Sequence, residues 1–155
     1  MRIISGGQTG VDRAALDFAI ANGFEHGGWT PQRRAAEDGA IPDTYEMWEL
    51  TDVVCFEHGY DPSDMKDQYR LRTRLNILEA DYTLILRGHS PSAGTNLTIS
   101  LCKQLRKPHQ VVAPGGTPQE LPSDVLTLNV AGPRASRYAE GPSETERMLS
   151  LLLEP

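Results

Sequence analysis

The sequence is poor in the residues from which small proteins build covalent or metal staples. Its two cysteines, Cys55 and Cys102, are isolated and no CxxC pair occurs. A disulfide scaffold and a zinc ribbon are thereby excluded, and two buried free thiols in a reducing compartment are expected. The histidines at positions 26, 58, 89 and 109 lack paired ligand spacing, so no metal site is expected. No apolar run approaches the ~18 residues of a membrane-spanning helix. Gly6 and Gly7 interrupt the first apolar stretch too early for a signal peptide, so the expected location is the cytoplasm. Fifteen basic residues face 21 acidic ones, a net charge of −6, which argues against general nucleic-acid binding. The commonest nucleotide signatures are also missing. Val11 and Asp12 follow Gly10 where a Walker A loop needs Lys and then Ser or Thr, and GxGxxG does not occur.

A chain of 155 residues reads most simply as one domain over 1–155. Short apolar runs alternate with helical patterns. Strands are expected at 2–5, 51–56 (TDVVCF), 82–86 (YTLIL), 109–113 and 125–130. Helices are expected at 11–22, 65–80, 96–105 and 143–153, the last with a capping box of Ser143 and Glu146. Residues 24–63 are broken by Gly and Pro. This alternation predicts an α/β protein with a parallel sheet and helices on both faces.

In such sheets ligands bind beyond the carboxyl ends of the strands. Three loops there have unusual chemistry. The first, Gly6, Gly7, Gln8, Thr9 and Gly10, runs into a helix whose first turn carries Asp12. The second holds Ser92, Gly94, Thr95 and Asn96, again at a helix start. Helix N-termini present free N–H groups and favour anions. The third loop brings Arg134 and Arg137, whose guanidinium groups suit a phosphate. On the helix from Met65, Tyr69, Arg72, Thr73 and Asn76 share one face, while Leu71, Leu75 and Leu78 fall opposite and are expected in the core. Ten acidic residues and one basic one lie between Glu37 and Asp67, read as a solvated face. The expected partner is a phosphorylated small molecule, with neither nucleic acid nor membrane.

The segments SGGQTGVDRAALDFAI, GGWTPQRRAAEDG, IPDTYEMWEL, RTRLNILEADYTLIL, SAGTNLT and NVAGPR resemble the family known as "putative molybdenum carrier". Its wider Rossmann-like group includes the LOG-type phosphoribohydrolases and the molybdenum-cofactor carrier proteins. The resemblance implies a Rossmann-like three-layer fold with a mainly parallel sheet and a site for a nucleotide-like or pterin-like phosphate. Molybdenum cofactor is a possible occupant. It also implies a homo-oligomer, and it raises Arg33 to a site residue. LOG-type enzymes carry a motif resembling PGGxGTxxE whose Glu serves the chemistry; here Thr98 stands at that position. A threonine supplies no carboxylate, so no catalytic residue is assigned and binding is favoured over hydrolysis. A nucleotide N-glycosidase using another acid, Asp12 or Asp38, and a nucleotide sensor without catalysis are the alternatives.

Overall fold

The structure is a computed structural model and describes residues 1–154. In chain order its elements are β1 (Arg2–Ile4), α1 (Val11–Ala21), β2 (Glu25–Gly27), β3 (Trp29–Thr30), β4 (Ala35–Ala36), β5 (Gly39–Ala40) and β6 (Trp48–Glu49). There follow α2 (Asp52–Glu57), α3 (Met65–Glu79), β7 (Tyr82–Leu86), α4 (Ala93–Gln104), β8 (His109–Val112), β9 (Thr127–Ala131) and α5 (Gly141–Leu153). Five strands form one parallel sheet in the order β2-β1-β9-β7-β8.

Period-two alternation divides the sheet's side chains between two helical layers. Leu84 and Leu86 of β7 join Ile3, Leu128 and Val130 in a core closed by Val11, Ala15 and Phe18 of α1 and Met148 and Leu149 of α5. Ile85, between them, points the other way and packs with Ile77 of α3 and Leu101 and Cys102 of α4. This is a three-layer, Rossmann-like α/β fold. Every residue of β7 is buried, as befits a parallel strand covered on both faces. Cys55 and Cys102 are free and buried, as expected. Among the described residues no helix is long and apolar enough to cross a membrane.

Between β2 and α3 the chain folds into a parallel pair, β3 with β6, and an antiparallel pair, β4 with β5. Leu50, Cys55, Leu71 and Leu75 form a satellite core there, joined by Trp29. Trp29 and Trp48 pack against each other with centroids 5.8 Å apart, which accounts for both tryptophans as packing residues.

Several local expectations are corrected. TDVVCF is helix α2, not a strand: the Thr51 hydroxyl accepts the Val54 N–H and Asp52 sits in the first turn. The N-cap wins over the β-branched run, and only Cys55 of that helix is buried. Helix α4 begins at Ala93 because Ser92 caps it. The Ser143–Glu146 capping box is absent; α5 starts at Gly141 and the Ser143 hydroxyl donates to the Glu140 carbonyl. Leu78 is exposed, and only Leu71 and Leu75 of that face enter the core.

Gly28 has φ 134°, and a Cβ there would lie 1.9 Å from the Ser5 carbonyl oxygen. The turn leaving β2 therefore grazes the backbone leaving β1. Gly28→Ala is expected to cost at least ~3 kcal/mol, lowering the melting temperature by ~6–12 °C. Gly94→Ala, which meets only Ser92 Oγ at 3.9 Å, should stay near the parent. Thermal unfolding of the two variants checks this.

Candidate functional site

Strands β1, β9 and β7 are neighbours, so the loops that follow them share one edge of the sheet. Between these loops and α3 lies a cleft with a cavity of about 90 Å³. A cavity of this size admits a tetrahedral anionic group.

The first loop supplies Gly6, Gln8 and Asp12 to the cleft. Its amides are largely spoken for by the loop's own side chains. The Gly7 N–H donates to Ser5 Oγ at 3.3 Å, the Gln8 N–H to Asp12 Oδ2 at 3.2 Å and the Thr9 N–H to Gln8 Oε1 at 3.0 Å. The carboxylate of Asp12 thus occupies the amide cradle where a ligand anion was expected. Gly7 and Gly10 do not line the cleft. Gly7 packs against Ile41 and Met47. Gly10 has φ 84°, and a Cβ on it would meet the Ala135 N at 2.7 Å, so it serves close approach of the third loop rather than of a ligand. Thr9 also faces that loop: its hydroxyl donates to Glu37 and accepts the Ala135 N–H at 3.1 Å.

From α3 come Arg72, Thr73 and Asn76. Arg72 Nη1 donates to the Gly6 carbonyl at 3.2 Å, and its guanidinium lies 5.2 Å from the centre of the Tyr69 ring. Tyr69 is therefore a cation–π support and not a cleft wall. Asn76 lines the cleft, but its amide is committed to β3: Oδ1 accepts the Trp29 N–H at 2.7 Å and Nδ2 donates to the Trp29 carbonyl at 3.2 Å. The Thr73 hydroxyl donates to the Tyr69 carbonyl at 2.9 Å.

The second loop contributes Ser92, Gly94 and Thr98. Ser92 Oγ accepts the Thr95 N–H at 3.4 Å, and the Thr98 hydroxyl donates to the Gly94 carbonyl at 3.0 Å. Thr95 and Asn96 fall outside the lining. Thr95 Oγ1 is buried and has no hydrogen-bond partner among the described residues. The third loop contributes Arg134; Arg137 is exposed and does not line the cleft. Arg33 is exposed with φ 61° and does not line it either.

Sequence reasoning missed Asn129, in the middle of β9, which lines the cleft and whose Nδ2 donates to Thr83 Oγ1 at 3.4 Å. An Asn in the middle of the apolar run TLNVA was the available signal. It also missed Glu37, whose carboxylate accepts from the Ser136 hydroxyl at 2.7 Å and the Ser136 N–H at 3.2 Å and approaches Arg134 Nε at 3.9 Å. These donors, led by the Thr9 hydroxyl, hold its pKa low. Asp38 forms a bidentate pair with Arg13 at 2.6 and 2.7 Å. The start of the acidic stretch is thus tied down rather than simply solvated, and Asp38 is not a cleft acid.

Asp12 is the acidic side chain of the cleft. It is only 7% exposed, and burial pushes its pKa up to about 6 against the opposing pull of Arg72 and of the Gln8 and Gly6 amides. Burial pushes Arg72 the opposite way, down, while Asp12 supports its charge. No group of three or more His, Cys, Asp or Glu capable of holding a metal ion occurs among the described residues.

The sequence model of the circularly permutated YpsA SLOG family matches residues 3–153, and the chain belongs to that family. A crystal structure of a "putative molybdenum carrier protein" from Syntrophus aciditrophicus SB is 35% identical, with a TM-score of 0.79, over 98% of this chain and 94% of that one. No curated protein matches the chain.

The burial of Asp12 has a measurable cost. Its folded pKa lies above the unfolded value of 3.8, so the folded state binds the extra proton and stability falls as pH rises from about 4 to about 6. Asp12→Asn keeps an acceptor for the Gln8 N–H without the charge. The variant should match the parent near pH 4 and exceed it at pH 8 by on the order of 3 kcal/mol. Denaturant unfolding at both pH values checks this.

Proposed function

We propose that this member of the YpsA-like SLOG group binds a phosphorylated small molecule, nucleotide-like or pterin-like, with the phosphate in the cleft. The observation that carries the reading is the convergence of Arg72, Arg134 and the start of α4 at Gly94 on one anion-sized cavity. The Arg72 guanidinium is already oriented by Gly6 and Tyr69, so little side-chain entropy is lost when an anion arrives. Molybdenum cofactor, a pterin with a terminal phosphate, fits this donor set at its phosphate end. Arg72, Arg134, Ser92 and Gly94 would hold that phosphate and the pterin would lie toward the cleft mouth. The name of the Syntrophus protein accords with a carrier role.

Carriage is favoured over hydrolysis. The Thr98 hydroxyl is bonded to the Gly94 carbonyl and offers no ionisable group at the position of the LOG-type Glu. Two arginines that hold phosphate equally before and after bond breaking supply binding rather than rate. Asp12 keeps the N-glycosidase reading open as a second one, because a cleft acid with a pKa of about 6 is suited to proton transfer.

Mass spectrometry of small molecules released from the purified protein should reveal a phosphate-bearing compound. A ligand at ~100 times its dissociation constant adds ~2.7 kcal/mol, a rise of roughly 5–10 °C in melting temperature for a chain of this size. Nucleoside monophosphates and stable pterin phosphates should include one that gives this shift. Gly94→Asp, which has open space for its side chain, should remove the shift by placing a carboxylate at the anion; a shift unchanged in that variant would put the ligand elsewhere. Incubation with AMP should release no adenine over hours. Turnover near ~1 s⁻¹, within the ordinary enzyme range, would establish the hydrolase reading instead.

A further inference from the structure

The first loop fixes two opposite charges at one cleft without pairing them. Asp12 Oδ2 accepts the Gln8 N–H at 3.2 Å, and Arg72 Nη1 donates to the Gly6 carbonyl at 3.2 Å. Ion pairs among the described residues join Arg2 to Glu79, Arg13 to Asp38, Arg134 to Glu37 and Arg147 to Glu144, and none joins Asp12 to Arg72. Both nevertheless line the same cavity. Besides Arg72, Asp12 is faced by Arg13 of its own helix and by the Gly6 and Gln8 amides, and Arg134 shares the cleft from the third loop. A cleft meant only for an oxyanion would be served better by an asparagine at position 12, because a buried carboxylate repels any anion brought beside it. An ionised carboxylate accepts strongly from a hydroxyl or an N–H.

We propose that Asp12 is a specificity-determining residue: it reads a hydroxyl or N–H donor that the ligand carries next to its phosphate, so the cleft selects a phosphate ester with such a donor over a bare oxyanion. This rests on the phosphate-binding reading above. The donor is a sugar hydroxyl in a nucleotide or a ring N–H in a pterin. Either occupies the Asp12 side while the phosphate meets Arg72, Arg134 and the start of α4.

Calorimetric titration with AMP, methyl phosphate and sulfate separates the possibilities. At pH 8 methyl phosphate matches AMP in phosphate charge and lacks the donors. The parent protein should bind AMP about tenfold or more tightly than methyl phosphate, the ratio expected of one charge-assisted hydrogen bond. In Asp12→Asn that preference should fall below about threefold, while methyl phosphate and sulfate bind more tightly than to the parent. Sulfate stays a dianion between pH 5 and 8. Its affinity for the parent should rise at least about fivefold as pH falls across that range and Asp12 gains its proton, and should stay flat in the variant. The parent series stands alone if the variant fails to fold. An equal loss for AMP and methyl phosphate in Asp12→Asn would show a merely structural carboxylate and overturn the inference, as would a pH-independent sulfate affinity in the parent. If AMP and methyl phosphate bind with equal affinity, the inference falls and the phosphate reading stands. If neither binds, both fall.

Discussion

The structure turns on the way residues 5–8 hold one acid and one base at the carboxyl edge of the sheet. Helices α1 and α3 belong to opposite layers, and Asp12 and Arg72 from those layers line the same cleft. Taking either charge out of water costs several kcal/mol if it is left uncompensated. The loop backbone offsets that cost on both sides, with amides toward Asp12 and a carbonyl toward Arg72. Three features follow from this. Gly6 has no side chain where the Arg72 guanidinium passes: a Cβ there would lie 2.5 Å from Nη1. The Tyr69 ring supports the same guanidinium. The first loop spends its Gly7, Gln8 and Thr9 N–H groups on side chains of its own segment, Ser5, Asp12 and Gln8, so the proposed anion would be left to Arg72, Arg134 and the start of α4.

A second tie keeps the cleft's third side in place. Glu37 leaves the β4–β5 hairpin and is bound by Thr9 of the first loop and Ser136 of the third. Its own N–H donates to Gln8 Oε1 at 2.9 Å, and that oxygen also accepts the Thr9 N–H. One short hairpin thereby fixes the spacing of the first and third loops and stands beside Arg134 at 3.9 Å. This arrangement gives the region between β2 and α3 a role in shaping the site although it lies outside the main sheet.

Much of this was legible in the sequence. The alternation of apolar runs and helical patterns specified the layers and the parallel sheet, because a parallel strand buried on both faces leaves an unbroken run such as YTLIL. Glycine-rich loops follow three of those runs and share one edge of the sheet, and Arg72, Ser92, Gly94 and Arg134 line one cleft there. What the sequence concealed was partnership. Thr9, Tyr69 and Asn76 are donors or aromatics in the right places, yet each is used by the protein itself. Periodicity reports which face a residue occupies and not which backbone group it satisfies. Asn129 and Glu37 were hidden for the same reason, since their roles depend on the placement of β9 between β1 and β7 and on a hairpin of two-residue strands. In α2, local capping prevailed over a β-branched run that reads as a strand.

The central claim is that one cleft, bounded by three loops and α3, holds the phosphate of a small molecule. A crystal structure of the protein grown with AMP tests it most directly. The account predicts phosphate oxygens within hydrogen-bond distance of Arg72, Arg134 and the Gly94 N–H, with a ligand hydroxyl or N–H on Asp12. Phosphate bound on the far edge of the sheet, or seated on the amides of residues 6–9 with Asp12 displaced, would contradict it.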